Sequence, residues 1–171
     1  RMQLFLENAS EVSTIYDEDG AIRYISSSVE TILGCGQREL IGKSDAENVF
    51  PEHRPIFADL FNRLKEANPD DRITVQLEYK TKEGNYIWIE ATGTNCMANP
   101  AIHGFILNSR DITERRRAEQ EQRMRSKMQA LSENSPDLIT RLEDQAISYI
   151  NPVIEAYTGK NPSTFLNKKV Q

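Results

Sequence analysis

Cysteine is scarce: Cys35 and Cys96 are the only two in 171 residues, and they lie far apart. That spacing supports neither a disulfide framework nor a zinc site, and a reducing cytoplasm is the default compartment. Long apolar runs are missing too, so no stretch reads as a bilayer span, and no signal-peptide pattern opens the chain. The chain starts at Arg1, so a fragment of a longer parent is expected, with membrane attachment upstream left open. There is no excess of basic charge. The formal net charge is -5, which argues against nucleic acid as a partner. The cluster Arg115–Arg117 reads as the solvated face of a helix. No phosphate loop, zinc-protease helix, nucleophile elbow or dinucleotide fingerprint occurs, so neither a catalytic residue nor a metal ligand is assigned. Both histidines, His53 and His103, read as surface residues, and Cys35 between Gly34 and Gly36 reads as a small loop residue.

What is present suits one soluble domain of about 100–150 residues with additional material. Met2–Asn8, with Leu4, Phe5 and Leu6, predicts a short helix with an apolar side. Glu11–Tyr16 and Ala21–Ile25 predict a hairpin around the turn Asp17-Glu-Asp-Gly20. A helix through Val29, Ile32 and Leu33 stops at Gly34, and Glu39–Lys43 forms another short one. Ser44 or Asp45 is placed to cap the following turn.

Pro51–Ala67 carries Ile56, Phe57, Leu60, Phe61 and Leu64 at helical spacing. Three strands follow: Ile73–Lys80, Tyr86–Asn95 and Ile102–Ser109. The last hands over directly to a polar helix from Thr113 to Leu131, with Thr113 as its cap and Glu114 at the positive end of its dipole. Strands and helices in this order predict an α+β domain built on one antiparallel five-stranded sheet. Met124, Met128 and Leu131 recur at i, i+4 and i+7 on the last helix. They suit a short dimeric coiled coil, with a solvated interdomain helix nearly as good a reading.

Four motifs in register carry a resemblance. They are Asp-x-x-Gly at Asp17–Gly20, Glu-Leu-Ile-Gly-Lys at Glu39–Lys43, Gly-x-x-x-Trp at Gly84–Trp88, and Arg-Asp-Ile-Thr-Glu-Arg at Arg110–Arg115. Together they resemble the PAS sensor domain with its C-terminal signature, over residues from about Leu6 to Thr113. The resemblance implies short helices on one face of the sheet and a signalling helix beyond the Asp-Ile-Thr joint. Arg110, Asp111 and Thr113 would then relay a change in the sheet. Ser26-Ser27 departs from the Asn-Pro that many relatives carry there.

The chain also repeats itself. Glu133–Thr140 echoes Glu7–Thr14, Ile147–Ile150 echoes Ile22–Ile25, and Gly159 and Lys168 fall where Gly34 and Lys43 fall. This implies a PAS domain with its N-terminal helix over 1–113, a linker helix over 114–131 and the start of a second PAS domain over 132–171.

Alignment through Gly84 and Trp88 sends Val75, Leu77, Tyr79, Ile87, Ile89, Ile106 and Asn108 inward. Plain core is the favoured reading of this set. The ligand-pocket candidates are Tyr79, Ile89, Ile106 and Asn108, with Phe57 on the long helix. Trp88, Phe105 and Leu107 would form an apolar outer patch, covered by Leu4, Phe5 and Leu6. With Met124, Met128 and Leu131 they make the dimer-interface candidates, Leu6 excepted.

Asp111 is expected to be held to the sheet by Arg110, Lys80 or Lys82. The segment Ser132–Gln171 is expected to pack on the first domain or, preferably, on a partner chain. Haem at His53 and a photoactive flavin are not expected. The residues aligned with the flavin asparagines are Tyr79 and Ile89, and no reactive cysteine lies in Lys43–Phe50.

The functional expectation is a sensory, dimerising module of a larger signalling protein, foremost a two-component histidine kinase. Its partners would be a second copy, a small molecule in the core and a downstream output domain. A diguanylate cyclase parent and a ligand-free constitutive scaffold are the alternatives.

Overall fold

Strand β1 (Glu11–Tyr16) lies inside the sheet, between β2 (Ile22–Ile25) and β5 (Phe105–Asp111). The chain is described by a computed structural model over residues 10–170. The expected helix over Met2–Asn8, with Leu4, Phe5 and Leu6, lies outside the described residues. Two units divide the chain, one ending at Arg116 and the other starting at Arg117.

In the first unit β3 (Arg72–Lys80) and β4 (Tyr86–Asn95) complete an antiparallel sheet in the order β2-β1-β5-β4-β3. The β1–β2 turn uses Asp17, whose Oδ1 accepts from the Asp19 and Ala21 N–H groups at 3.0 Å each. Gly20 takes a φ of 83°, which an L side chain resists. Helix α1 (Ser28–Leu33) ends on Gly34 in the left-handed conformation, and α2 (Gln37–Leu40) follows. Two 3₁₀ turns, Ala46–Asn48 and Pro51–His53, lead into α3 (Arg54–Glu66). The predicted Pro51 start is therefore 3₁₀, with the α-helix beginning at Arg54. Phe57, Leu60 and Leu64 of α3 are buried in one cluster with Val12, Tyr16, Leu77, Ile89, Ala91, Phe105 and Leu107.

Strand β5 differs from expectation in start and in phase. Residues 102–104 belong to a turn, in which the Ile102 and His103 N–H groups donate to Asn99 O and His103 takes a φ of 46°. Within β5, Phe105 and Leu107 are 1% and 2% exposed in the core, whereas Ile106 is half-buried and Asn108 exposed. Ile106 and Asn108 therefore lie on the outer face, and Phe105 and Leu107 point in. The pairing shows why: Gly93 stands opposite Leu107, and Tyr16 opposite Phe105. Alternation carried correctly through the tight β3–β4 hairpin, but the loop over 96–104 does not preserve its phase. A one-residue slip flips a whole strand.

Trp88 alone of the expected apolar patch stays outside. Its ring lies 5.4 Å from His53 and 3.7 Å from the Arg116 guanidinium. His53, expected at the surface, is half-buried, and its Nδ1 accepts from the Glu78 N–H at 3.0 Å.

Helix α4 runs over Thr113–Glu133, and none of its residues is buried. The second unit pairs β6 (Thr140–Glu143) with β7 (Ala146–Ile150), followed by α5 (Ile154–Thr158). Asn151, fully buried, accepts from the Ile139 N–H at 2.9 Å and donates to Ser132 O and Asp137 O. The first unit makes the matching bond from the Ser13 N–H to Ser26 Oγ, 2.9 Å. Ser26 N–H to Ser13 O and Asn151 N–H to Ile139 O also match, as do Ile22 N–H to Lys43 O and Ile147 N–H to Lys168 O. A serine hydroxyl in one unit thus does what the asparagine amide oxygen does in the other. Among the described residues no helix is long and apolar enough to cross a membrane.

Candidate ligand site and helix joint

A cavity of about 30 Å³ sits on the inner face of the first unit's sheet. Tyr16 reaches it from the end of β1, Tyr79 from the end of β3, and Ile89 and Leu107 from β4 and β5. Asp45 enters from the loop that opens the first 3₁₀ turn, where its own carbonyl accepts from the Asn48 N–H at 3.0 Å. Val49 bridges to Tyr79 just beyond, which fixes this loop against the sheet edge.

Both phenols converge on one carboxylate oxygen. Tyr16 Oη donates to Asp45 Oδ2 at 2.9 Å and Tyr79 Oη donates to the same atom at 3.1 Å. Asn48 Nδ2 donates to Tyr79 Oη at 3.3 Å. Asp45 is 6% exposed, and its Oδ1 is buried without a hydrogen-bond partner among the described residues. Burial pushes the Asp45 carboxyl above its ordinary range, and the two phenol hydrogen bonds oppose that only in part. Both phenols are held well above theirs, by burial first and by the Asp45 charge second. Such a group accepts hydrogen bonds in a chamber whose wall is mostly apolar, with Thr14, Ser109 and Asp111 as its other polar members. Phe57 packs edge-on against Tyr16, with ring centroids 6.5 Å apart.

The second feature is the joint between β5 and α4. The Ile112 N–H donates to Trp88 O at 2.9 Å, and the Trp88 N–H donates to Thr113 Oγ1 at 2.9 Å. Ile112 between them is 2% exposed. Arg115 Nη2 donates to Glu90 Oε2 at 3.1 Å, and Arg116 Nη1 to Gln76 Oε1 at 2.8 Å. The first turn of α4 is therefore fastened to β4 and β3 by backbone, hydroxyl and guanidinium contacts together.

A family model described as the PAS fold matches residues 1–112. The chain belongs to the PAS family. Its fold is similar to the PAS domain of a protein from Colwellia psychrerythraea, with a TM-score of 0.57 and 20% identity, covering 67% of this chain and 95% of that one. It is also similar to the PAS domain of an HTR-like protein from Haloarcula marismortui, with a TM-score of 0.51, 22% identity, and coverage of 66% and 95%. No curated protein matches.

Within this PAS domain Tyr79, Ile89 and Phe57 line the cavity, while Ile106 and Asn108 lie on the far side of the sheet. Asn108 instead accepts from Ser13 Oγ through its Oδ1, at 2.8 Å. Asp111 is exposed and accepts the Thr113 N–H at 2.9 Å, so it shapes the helix start and is not bonded to Arg110, Lys80 or Lys82. Arg110 pairs with Glu11 across β1. Phe105 and Leu107 are core residues, with no surface to offer a partner. Nothing in the sequence marks Asp45 and Tyr16 as site residues, because Asp45 reads as a turn cap and only the fold brings both tyrosines to it. Among the described residues no group of His, Cys, Asp and Glu is arranged to hold a metal ion. Burial holds both the Cys35 and Cys96 thiols above their ordinary range, away from the reactive thiolate.

Proposed function

We propose that this chain is the sensory and dimerising part of a multidomain signal-transduction protein, with a two-component histidine kinase as the parent class. One observation carries the reading: β5 is both a wall of the cavity and the root of the helix. Leu107, Ser109 and Asp111 line the chamber, and the same strand passes through Ile112 into α4. A ligand that favours one position of β5 over another biases the exit of α4, because differential contact is what shifts a conformational equilibrium. Met124, Met128 and Leu131 are 59%, 63% and 64% exposed, and we assign that stripe to a second copy of the helix. The matching hydrogen bonds of the two units support tandem PAS domains. A partner chain is the cover we favour for the exposed Leu138, Ile139 and Leu142 of the second. The parent class rests on the resemblance of the Asp-Ile-Thr joint and on this tandem arrangement.

Ala91→Val tests the relay, since it adds bulk to the cavity wall from β4. Amide hydrogen exchange over Ile112–Arg116 is expected to change about fivefold or more, the low end of ordinary site-to-site coupling. Unchanged exchange there, in a variant whose cavity is filled, would contradict a sensory role.

A further inference from the structure

We propose that the cavity beside Asp45 binds a small protonated primary amine, of ammonium or methylammonium size, which donates to Asp45 Oδ1. The proposal deepens the sensory reading above and rests on it for the use of the site.

The two carboxylate oxygens of Asp45 meet different surroundings. Oδ2 already takes both phenol hydrogens, so neither Tyr16 nor Tyr79 has one left for Oδ1. Oδ1 is buried and receives no donor from the described residues. Asp45 lines the cavity, and a buried acceptor without a partner costs free energy unless a small shift of the side chain lets a donor reach it from there. Charge then selects among donors. No described ion pair includes Asp45, and the described side chains that donate to it are neutral phenols. A buried carboxylate gains most from a cation with N–H groups, which neutralises it and fills the empty acceptor in one contact.

Size sets the upper limit. A single water needs about 10–15 Å³ of such volume, so a cavity of about 30 Å³ holds roughly two heavy atoms. The rest of the wall mixes Val12, Leu77, Ile89 and Leu107, which suit a methyl group behind the ammonium head, with the polar Thr14 and Ser109 and a second carboxylate, Asp111. A bulky or quaternary ammonium has neither the room nor the N–H.

The probes are ammonium, methylammonium and tetramethylammonium chlorides against sodium chloride at equal ionic strength, with methanol as the neutral isostere. Amide NMR shifts and Tm of the full chain are read. Ammonium and methylammonium are expected to move the Leu77, Ile89 and Leu107 resonances and to raise Tm, while tetramethylammonium and methanol do neither. Asp45→Asn is expected to weaken methylammonium binding about tenfold or more. Ala91→Val, which leaves Asp45 intact and adds bulk to the wall, is expected to abolish it, so the test survives an Asp45→Asn variant that fails to fold.

Equal effects of methanol would make this a neutral-donor or water site. Equal effects of tetramethylammonium would mean a surface ionic effect, and no shift with any amine would leave the cavity dry or hydrated. Each result overturns the proposal. Absent amine binding with an intact Ala91→Val response at α4 removes the amine and keeps the relay. Binding without any response at α4 removes the relay and keeps the amine.

Discussion

Asp45 is buried beside two phenols, and that placement sets a pH signature. Its folded carboxyl titrates above the unfolded one, because burial penalises the charge more than the phenols relieve it. The folded state therefore binds the extra proton across the window from the ordinary aspartate range, about 3.9, up to the raised value. Stability from this group is complete below that window and is lost as pH rises through it. Asp45→Asn cannot titrate. Thermal unfolding of the two proteins as a function of pH is expected to show wild type losing Tm relative to the variant as pH rises through the window. Parallel curves would show that Asp45 titrates alike in the folded and unfolded states, and a gain of Tm by wild type as pH rises would show its carboxylate to be the form the fold prefers.

At the scale of elements, the joint divides its work differently from the charge pattern. Sequence reading gave Asp111 the anchor and Thr113 the cap. In the fold Thr113 Oγ1 anchors to the Trp88 N–H, and Asp111 Oδ1 accepts the Thr113 N–H. Thr113→Ala leaves that strand N–H without its acceptor and is expected to cost about 1 kcal/mol in local opening of the first turn of α4. Hydrogen exchange at Trp88 and Arg116 measures it, and unchanged protection would leave the anchoring to the Ile112 N–H and the Arg115 and Arg116 side chains.

The motif itself was legible because its strand-to-helix switch is local in sequence. Which oxygen bonds where was not, since Trp88 is brought to it by sheet pairing. The phase of β5 was lost for the same reason: alternation reports faces only while the chain stays in one hairpin.

At the scale of the whole chain, the repeat was legible and the cavity was not. Ser13–Ser26 and Ile139–Asn151 are short-range pairs, so a similar sequence rebuilds the same bonds in each unit. Tyr16, Asp45 and Tyr79 come from three separate elements, and nothing in their spacing joins them. The proposed dimerisation through α4 belongs to this scale as well. Met128→Glu places a charge on a stripe that is otherwise apolar at Met124 and Leu131 and is expected to weaken self-association about tenfold or more. Sedimentation equilibrium reads this directly, and an unchanged association constant, or a wild-type chain that does not self-associate, would contradict pairing through this stripe.

If cavity and helix root share one equilibrium, as proposed, a double-mutant cycle measures their coupling. Ala91→Val, Thr113→Ala and the double variant are compared by the opening free energy of Ile112–Arg116 from native-state hydrogen exchange. The two changes are expected to fail to add by about 0.5 kcal/mol or more. Strict additivity would contradict it, leaving a PAS core and a helix that merely follow one another in the chain.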